Sequence, residues 1–146
     1  GACRSLFSHA GVTAAHLQAH GGTVEGVNAA GVEAMAGDAG RSLHSHDLFN
    51  NDGPLWNRFY SMSKEREVCP ELERVLQAVG ARRMVIGHTV QEEGMTTRCG
   101  GRLHLIDVGI SSAYGGQAAA WSCEGHGLVR AHYRDRTVVL EAGGGG

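Results

Sequence analysis

The stretch Arg83-Met84-Val85-Ile86-Gly87-His88-Thr89-Val90-Gln91 constrains this chain more than any other. Three consecutive apolar residues, Met84, Val85 and Ile86, read as a short buried strand. Gly87 breaks the run and His88 follows at once, so an imidazole stands at the strand's C-terminal end. In layered α/β proteins that end of a sheet is where ligands gather. Leu6-Phe7-Ser8-His9-Ala10-Gly11 has the same design. The expectation is that His9 and His88 converge on one metal site, only half of which this chain supplies.

The chain between these runs reads as α/β. Residues 4–9 predict a strand and residues 12–20 a helix, with Thr13 as N-cap. Residues 24–43 predict one or two weak helices lying over a sheet. The clearest helix is expected over 70–79: Pro70 suits a first helical position and Gly80 the left-handed residue after the end. Leu72, Val75, Leu76 and Val79 form one apolar stripe. A helix feeding the 83–87 strand is half of a βαβ unit. Residues 95–98 and 102–108 predict a strand pair turning at Gly100-Gly101, and 127–133 with 136–142 a second pair turning near Arg134-Asp135. Asp107, read as buried, is expected to orient a ligand rather than bind metal.

Several features narrow the function. With 146 residues and a net charge of −2, the chain is of single-domain size and carries no basic field for nucleic acid or membrane. No run approaches a membrane span. The start at Gly1 without a Met or signal pattern, and the end in Gly143 to Gly146, suggest a piece of a longer protein: a domain part over 1–142 and a Gly-rich tail over 143–146. Cys3, Cys69, Cys99 and Cys123 contain no Cys-x-x-Cys pair, which argues against a zinc ribbon; reduced thiols in an intracellular compartment are expected. His16 and His20, spaced i, i+4, lack the Glu of a His-Glu-x-x-His site and read as a solvated pair. His44 and His46 read as surface residues rather than as part of a substrate rim. Arg58 lies among Trp56, Phe59 and Tyr60; an exposed charge and a fork held still by packing are equally open.

Four segments in order carry a more specific signal: Phe7-Ser8-His9-Ala10-Gly11, Gly53-Pro54-Leu55-Trp56-Asn57-Arg58, Gly87-His88-Thr89-Val90-Gln91, and Cys99 through Asp107-Val108-Gly109 to Gly115-Gly116. Together they resemble the C-terminal half of a calcineurin-like metallophosphoesterase, most nearly the Shewanella-like branch of the phosphoprotein phosphatases, over residues 4–142. The resemblance implies half of a four-layer α/β/β/α sandwich with mixed sheets. It implies a dinuclear site of two divalent ions (Mn, Fe or Zn) that activates water against a phosphomonoester. His9 and His88 would ligate the second ion, and Arg58 would clamp the phosphate. The family's Asp-x-His, Asp-Arg-Gly and Asn-His-Glu motifs lie upstream of the His9 position and are not in this chain, so the His acid would lie outside it and the chain alone would be inactive. The implied partner is a phosphorylated protein or a small phosphomonoester. The alternatives are a degenerate, non-catalytic module of the same fold, or a phosphodiesterase or nucleotide hydrolase. Oligomeric state is not addressed by the sequence.

Overall fold

The computed structural model describes residues 1–37 and 43–143. The end of the helical segment read over 24–43 and all but the first residue of the 143–146 tail lie outside the described residues. Two sheets form the frame. The first joins β1 (Ser5–Ser8), β2 (Arg83–Ile86), β4 (Leu103–Leu105) and β3 (Thr96–Arg98) in that spatial order. β1, β2 and β4 are parallel and β3 is antiparallel, so the sheet is mixed. The second is antiparallel, with β5 (Ala119–Glu124), β6 (Leu128–Tyr133) and β7 (Thr137–Glu141). The α/β class and both strand pairs agree with the sequence. β5 had no clear signature, because its residues Ala-Ala-Trp-Ser-Cys-Glu carry little β-branched character.

Strand register separates the two faces of the first sheet. Leu6 pairs with Met84 and Met84 with Leu103, and the next even step aligns Ile86 with Leu105. These side chains share one core with Leu72, Val75 and Leu76 of the long helix over Glu65–Val79. The intervening row, Phe7, Val85 and His104, faces the other way. There Trp121 of β5 meets the Phe7 ring at 5.6 Å and the His104 ring at 5.7 Å. Helices, mixed sheet and antiparallel sheet therefore stack as successive layers.

Among the described residues four α-helices pack against this frame: α1 (Ala14–Ala19), α2 (Val24–Ala36), α3 (Phe59–Met62) and α4 (Glu65–Val79). α4 begins before Pro70, not at it. Val68, wholly buried, extends the Leu72/Val75/Leu76 stripe backwards by one turn, and that burial outweighs the proline. The proline costs little here because the carbonyl it leaves without a donor belongs to the exposed Arg66 in the first turn. Gly80 ends the helix at φ 63, as expected. Thr13 caps α1, but the capping box is closed by the His16 ring in place of the usual Glu or Gln. His20 pairs with Asp47 at 2.8 Å and stacks on His46. The solvated His16–His20 pair and the surface reading of His46 are thus corrected: each ring has a structural partner. α2 buries none of its residues and leaves Val32 and Met35 about 60% exposed.

A charge joins the two sheets. Arg83 is 0% exposed, the first residue of a strand buried along its whole length. Its Nε and Nη2 both lie 2.9 Å from Glu141 Oε2 on β7, and its Nη1 donates to the Ala2 carbonyl. Nothing in the apolar pattern of 84–86 signals this. Cys3–Cys123 ties the segment before β1 to β5, and Cys69–Cys99 ties α4 to the β3–β4 turn. These disulfides overturn the expectation of reduced thiols, and with it the argument drawn from it for an intracellular compartment. Loops of 120 and 30 residues place each bridge in the range of roughly 3–5 kcal/mol by loop-closure entropy. Among the described residues no helix is long and apolar enough to cross a membrane.

Two measurements check these packing arguments. Glu141→Ala leaves the Arg83 guanidinium buried without its carboxylate and is expected to cost about 3–5 kcal/mol in denaturant unfolding. His104, 0% exposed, donates from Nε2 to the Gly101 carbonyl and accepts the Trp121 indole N–H at Nδ1. Burial lowers its pKa below the usual 6.5. The unfolded chain therefore binds more protons than the fold, and stability falls as pH drops through 6.5. Thermal unfolding between pH 7 and pH 5 should show that fall, and a His104→Gln chain should show less of it.

Candidate functional site

The three residues singled out by sequence come from three loops, and the fold brings those loops to one end of the mixed sheet. His9 is the first residue after β1, and His88 stands two residues after the parallel neighbour β2. The Gly87 amide donates to the His9 carbonyl at 2.8 Å, so the two loops are joined by their backbones. His88 Nδ1 then lies 3.2 Å from His9 Nε2, with ring centroids 5.0 Å apart. The left-handed residue at this bend is His88 itself, at φ 64, and not Gly87. A non-glycine residue there is uncommon and marks local strain of the kind functional sites hold.

Arg58 reaches the same place by a different route. The segment before it is welded to the β1 loop. Asn57, 6% exposed, donates from Nδ2 to both the Gly11 and Gly53 carbonyls, and Ala10 N–H donates to the Pro54 carbonyl. Tyr60, wholly buried, donates its hydroxyl to the Val12 carbonyl. Its ring closes so tightly on Gly11 that a Cβ there would lie 2.3 Å from it, and Gly11 has φ 110. Only glycine fits. Arg58 then donates from Nη1 to Thr89 Oγ1 at 3.1 Å, one residue beyond His88, and Ser61 Oγ lies 2.9 Å from the same hydroxyl. The guanidinium is exposed and anchored at once, so the two readings left open by the sequence are both partly right.

Electrostatics fit the geometry. The His88 pKa is lowered, first by burial and then by the Arg58 and His9 charges; a hydrogen bond to the Trp56 backbone and the Asp107 carboxylate act the other way. The shift favours the neutral form of the His88 imidazole. Two nitrogens on one four-coordinate ion, each at ~2.0–2.1 Å, stand roughly 3.3 Å apart. The 3.2 Å between His9 and His88 has that spacing. Among the described residues no third His, Cys, Asp or Glu brings a ligand atom within 4.8 Å of both. Asp107 is half-buried just beyond β4, not inside it, and its Oδ1 accepts the Gly109 amide, shaping its own turn. Sequence reading missed Asn57, Tyr60 and Thr89 as positioning residues, although all three lie within or beside the quoted motifs. Next to His9 opens a cleft of about 500 Å³ lined by Phe7, Val12, Leu17, Val27, Met35 and Phe49 among others.

No protein-family profile matches the chain. An uncharacterised protein of Schizosaccharomyces pombe is 32% identical over 142 residues, covering 93% of this chain and 42% of that protein. Shewanella-like protein phosphatase 2 of Arabidopsis thaliana is 29% identical over 109 residues, covering 73% of this chain and 27% of that one. The cold-active protein-tyrosine phosphatase of a psychrophilic Shewanella superposes with a TM-score of 0.69 at 21% identity, over 94% of this chain and 41% of its own. A second structure of a cold-active tyrosine phosphatase gives 0.71 at the same identity. The architecture is therefore that of a phosphatase fold. The resemblance to the Shewanella-like protein phosphatases carried by the four sequence motifs holds in both sequence and structure. The chain spans about two fifths or less of the length of these relatives.

Two outcomes follow from the loop network. Asn57→Ala strands two buried carbonyls and is expected to destabilise by about 1–3 kcal/mol in chemical unfolding. In an NMR titration His88 should protonate below pH 6.5, and Arg58→Ala, by removing a nearby positive charge, should move that midpoint upward.

Proposed function

We propose that this chain is part of a metal-dependent phosphatase that hydrolyses phosphomonoesters, most naturally those of phosphoproteins. The observation that supports it is the meeting of His9 and His88 at 3.2 Å, with Arg58 anchored to Thr89 beside them. His9 Nε2 and His88 Nδ1 would hold one divalent ion, with Mn, Fe and Zn all suited to imidazole and carboxylate donors. Bound there, such an ion supplies charge for a phosphoryl oxygen and lowers the pKa of a coordinated water. The chain's own residues supply positioning. Arg58 offers a planar fork to two phosphate oxygens, with one nitrogen steadied by Thr89. The Trp56 ring meets the His88 ring edge-on, with centroids 5.5 Å apart, and limits how that ring can turn.

The remaining ligands and the general acid would come from the part of the relatives that this chain does not span. The apolar cleft beside β1 suits that role, since it is where a continuing fold would bury surface. On this reading residues 1–142 are the later part of one domain, and the chain by itself is inactive.

The test joins this chain to its upstream segment and follows aryl phosphate hydrolysis with Mn²⁺. His9→Ala and His88→Ala should each lower kcat/KM by at least about a hundredfold, equivalent to the loss of ~3 kcal/mol of transition-state stabilisation. Arg58→Ala should do likewise, with much of the loss in KM. Activity equal to wild type in both histidine variants would overturn the ligand roles of His9 and His88, and no activity in a joined protein that binds phosphopeptide would transfer the fold to a non-catalytic binding role.

A further inference from the structure

We propose that Glu65, Cys69 and Cys99 form a zinc site when the Cys69–Cys99 disulfide is reduced, away from the His9–His88 pair. Among the described residues these three alone bring potential ligand atoms of three side chains within 4.8 Å of one another. The arrangement is built by two elements. Glu65 and Cys69 lie one turn apart on the first part of α4, so they share a helix face. Cys99 sits in the β3–β4 turn at φ 53, a left-handed conformation that a non-glycine residue adopts at a cost. Its amide donates to Glu65 Oε1 at 2.9 Å, which holds the turn against the helix and leaves the second carboxylate oxygen available.

The chemistry balances. A dithiol reductant transfers two electrons and two protons to the disulfide, becoming a disulfide itself and leaving Cys69 and Cys99 as thiols. Zinc then displaces both thiol protons to solvent and takes two sulfurs and one carboxylate oxygen, with water at the open fourth position. Two thiolates and a carboxylate carry three negative charges. Zinc neutralises two, and Arg98, whose Nε lies 3.9 Å from Glu65 Oε1, offsets the third. Arg98 does not have to move to do so, because its other nitrogens already donate to the Tyr60 and Ser63 carbonyls. The Cys69–Cys99 Cα separation of 5.4 Å suits either state. The pair thus has two ways of clamping α4 to the hairpin: a covalent bond when oxidised, an ion when reduced.

The experiment uses the chain with Cys3→Ser and Cys123→Ser, beside the unsubstituted chain, reduced by a dithiol that is then removed anaerobically. Each is titrated with Co²⁺ and then Zn²⁺. The expected result is one equivalent of Co²⁺ with sulfur-to-metal charge-transfer absorption in the near ultraviolet, lost on adding Zn²⁺. Cys69→Ser and Cys99→Ser should abolish the band. The exposed Glu65→Gln substitution should weaken binding at least tenfold, with the circular dichroism unchanged. His9→Ala and His88→Ala should leave the band intact, whatever their effect on hydrolysis. Three results would each overturn the assignment: no such band in the reduced chain, a band that survives Cys69→Ser, or equal affinity in a urea-unfolded sample.

Discussion

An ion pair between sheets holds this structure in shape. β2 is buried at every position, yet it begins with a charge. An arginine with no exposed surface is tolerable only because Glu141 arrives from the other sheet to meet it. That requirement sets where β7 must lie relative to β2. It also sets where Trp121 can stack, since β5 and β7 flank the same central β6. The far end of β2 carries His88. An electrostatic demand at one end of a four-residue strand thus bears on the layer spacing at the end that carries His88.

At the end of the sheet that carries His9 and His88, precision comes from hydrogen bonds more than from apolar packing. Asn57 gathers the carbonyls of two loops, Tyr60 closes on Gly11, and Thr89 receives both Arg58 and Ser61. Three loops far apart in sequence behave as one rigid rim. Such support lets a strained His88 persist, because the surrounding bonds over-determine its backbone. The pair of rings has the separation that one ion asks for, and it lacks the further donors an ion wants. The chain's span of about two fifths of its relatives is consistent with the proposal that further donors come from elsewhere in the protein.

Much of this was legible in the residues. Short apolar runs ending in histidine located β1 and β2 and the two rings, because strand periodicity and a break are local signals. The Gly100-Gly101 turn and the 134–135 turn were legible for the same reason. What escaped was non-local. Arg83 looked like a flank of its strand, since no pattern near it shows a carboxylate 58 residues on. The start of α4 was misplaced because Pro70 is a strong local cue and the burial of Val68 is a tertiary one. The cysteines read as separate thiols, and only the three-dimensional arrangement pairs them. His16 lies on α1 but His20 is the residue that ends it, with non-helical backbone, so the expected shared helix face is not formed; their partners, a cap and an aspartate in a later loop, could not be inferred from spacing.

β1 is the outermost strand of its sheet, and its four residues, Ser5-Leu6-Phe7-Ser8, include neither a charge nor a proline. Natural proteins usually guard such a margin with lysine, a bulge or a covering segment. Here Phe7 is 63% exposed and an apolar cleft runs alongside. Taken from its context, this chain offers other polypeptides a ready template for main-chain pairing. The outer edge of β1 is thus one place, among the sheet edges, where self-association of the isolated chain would start.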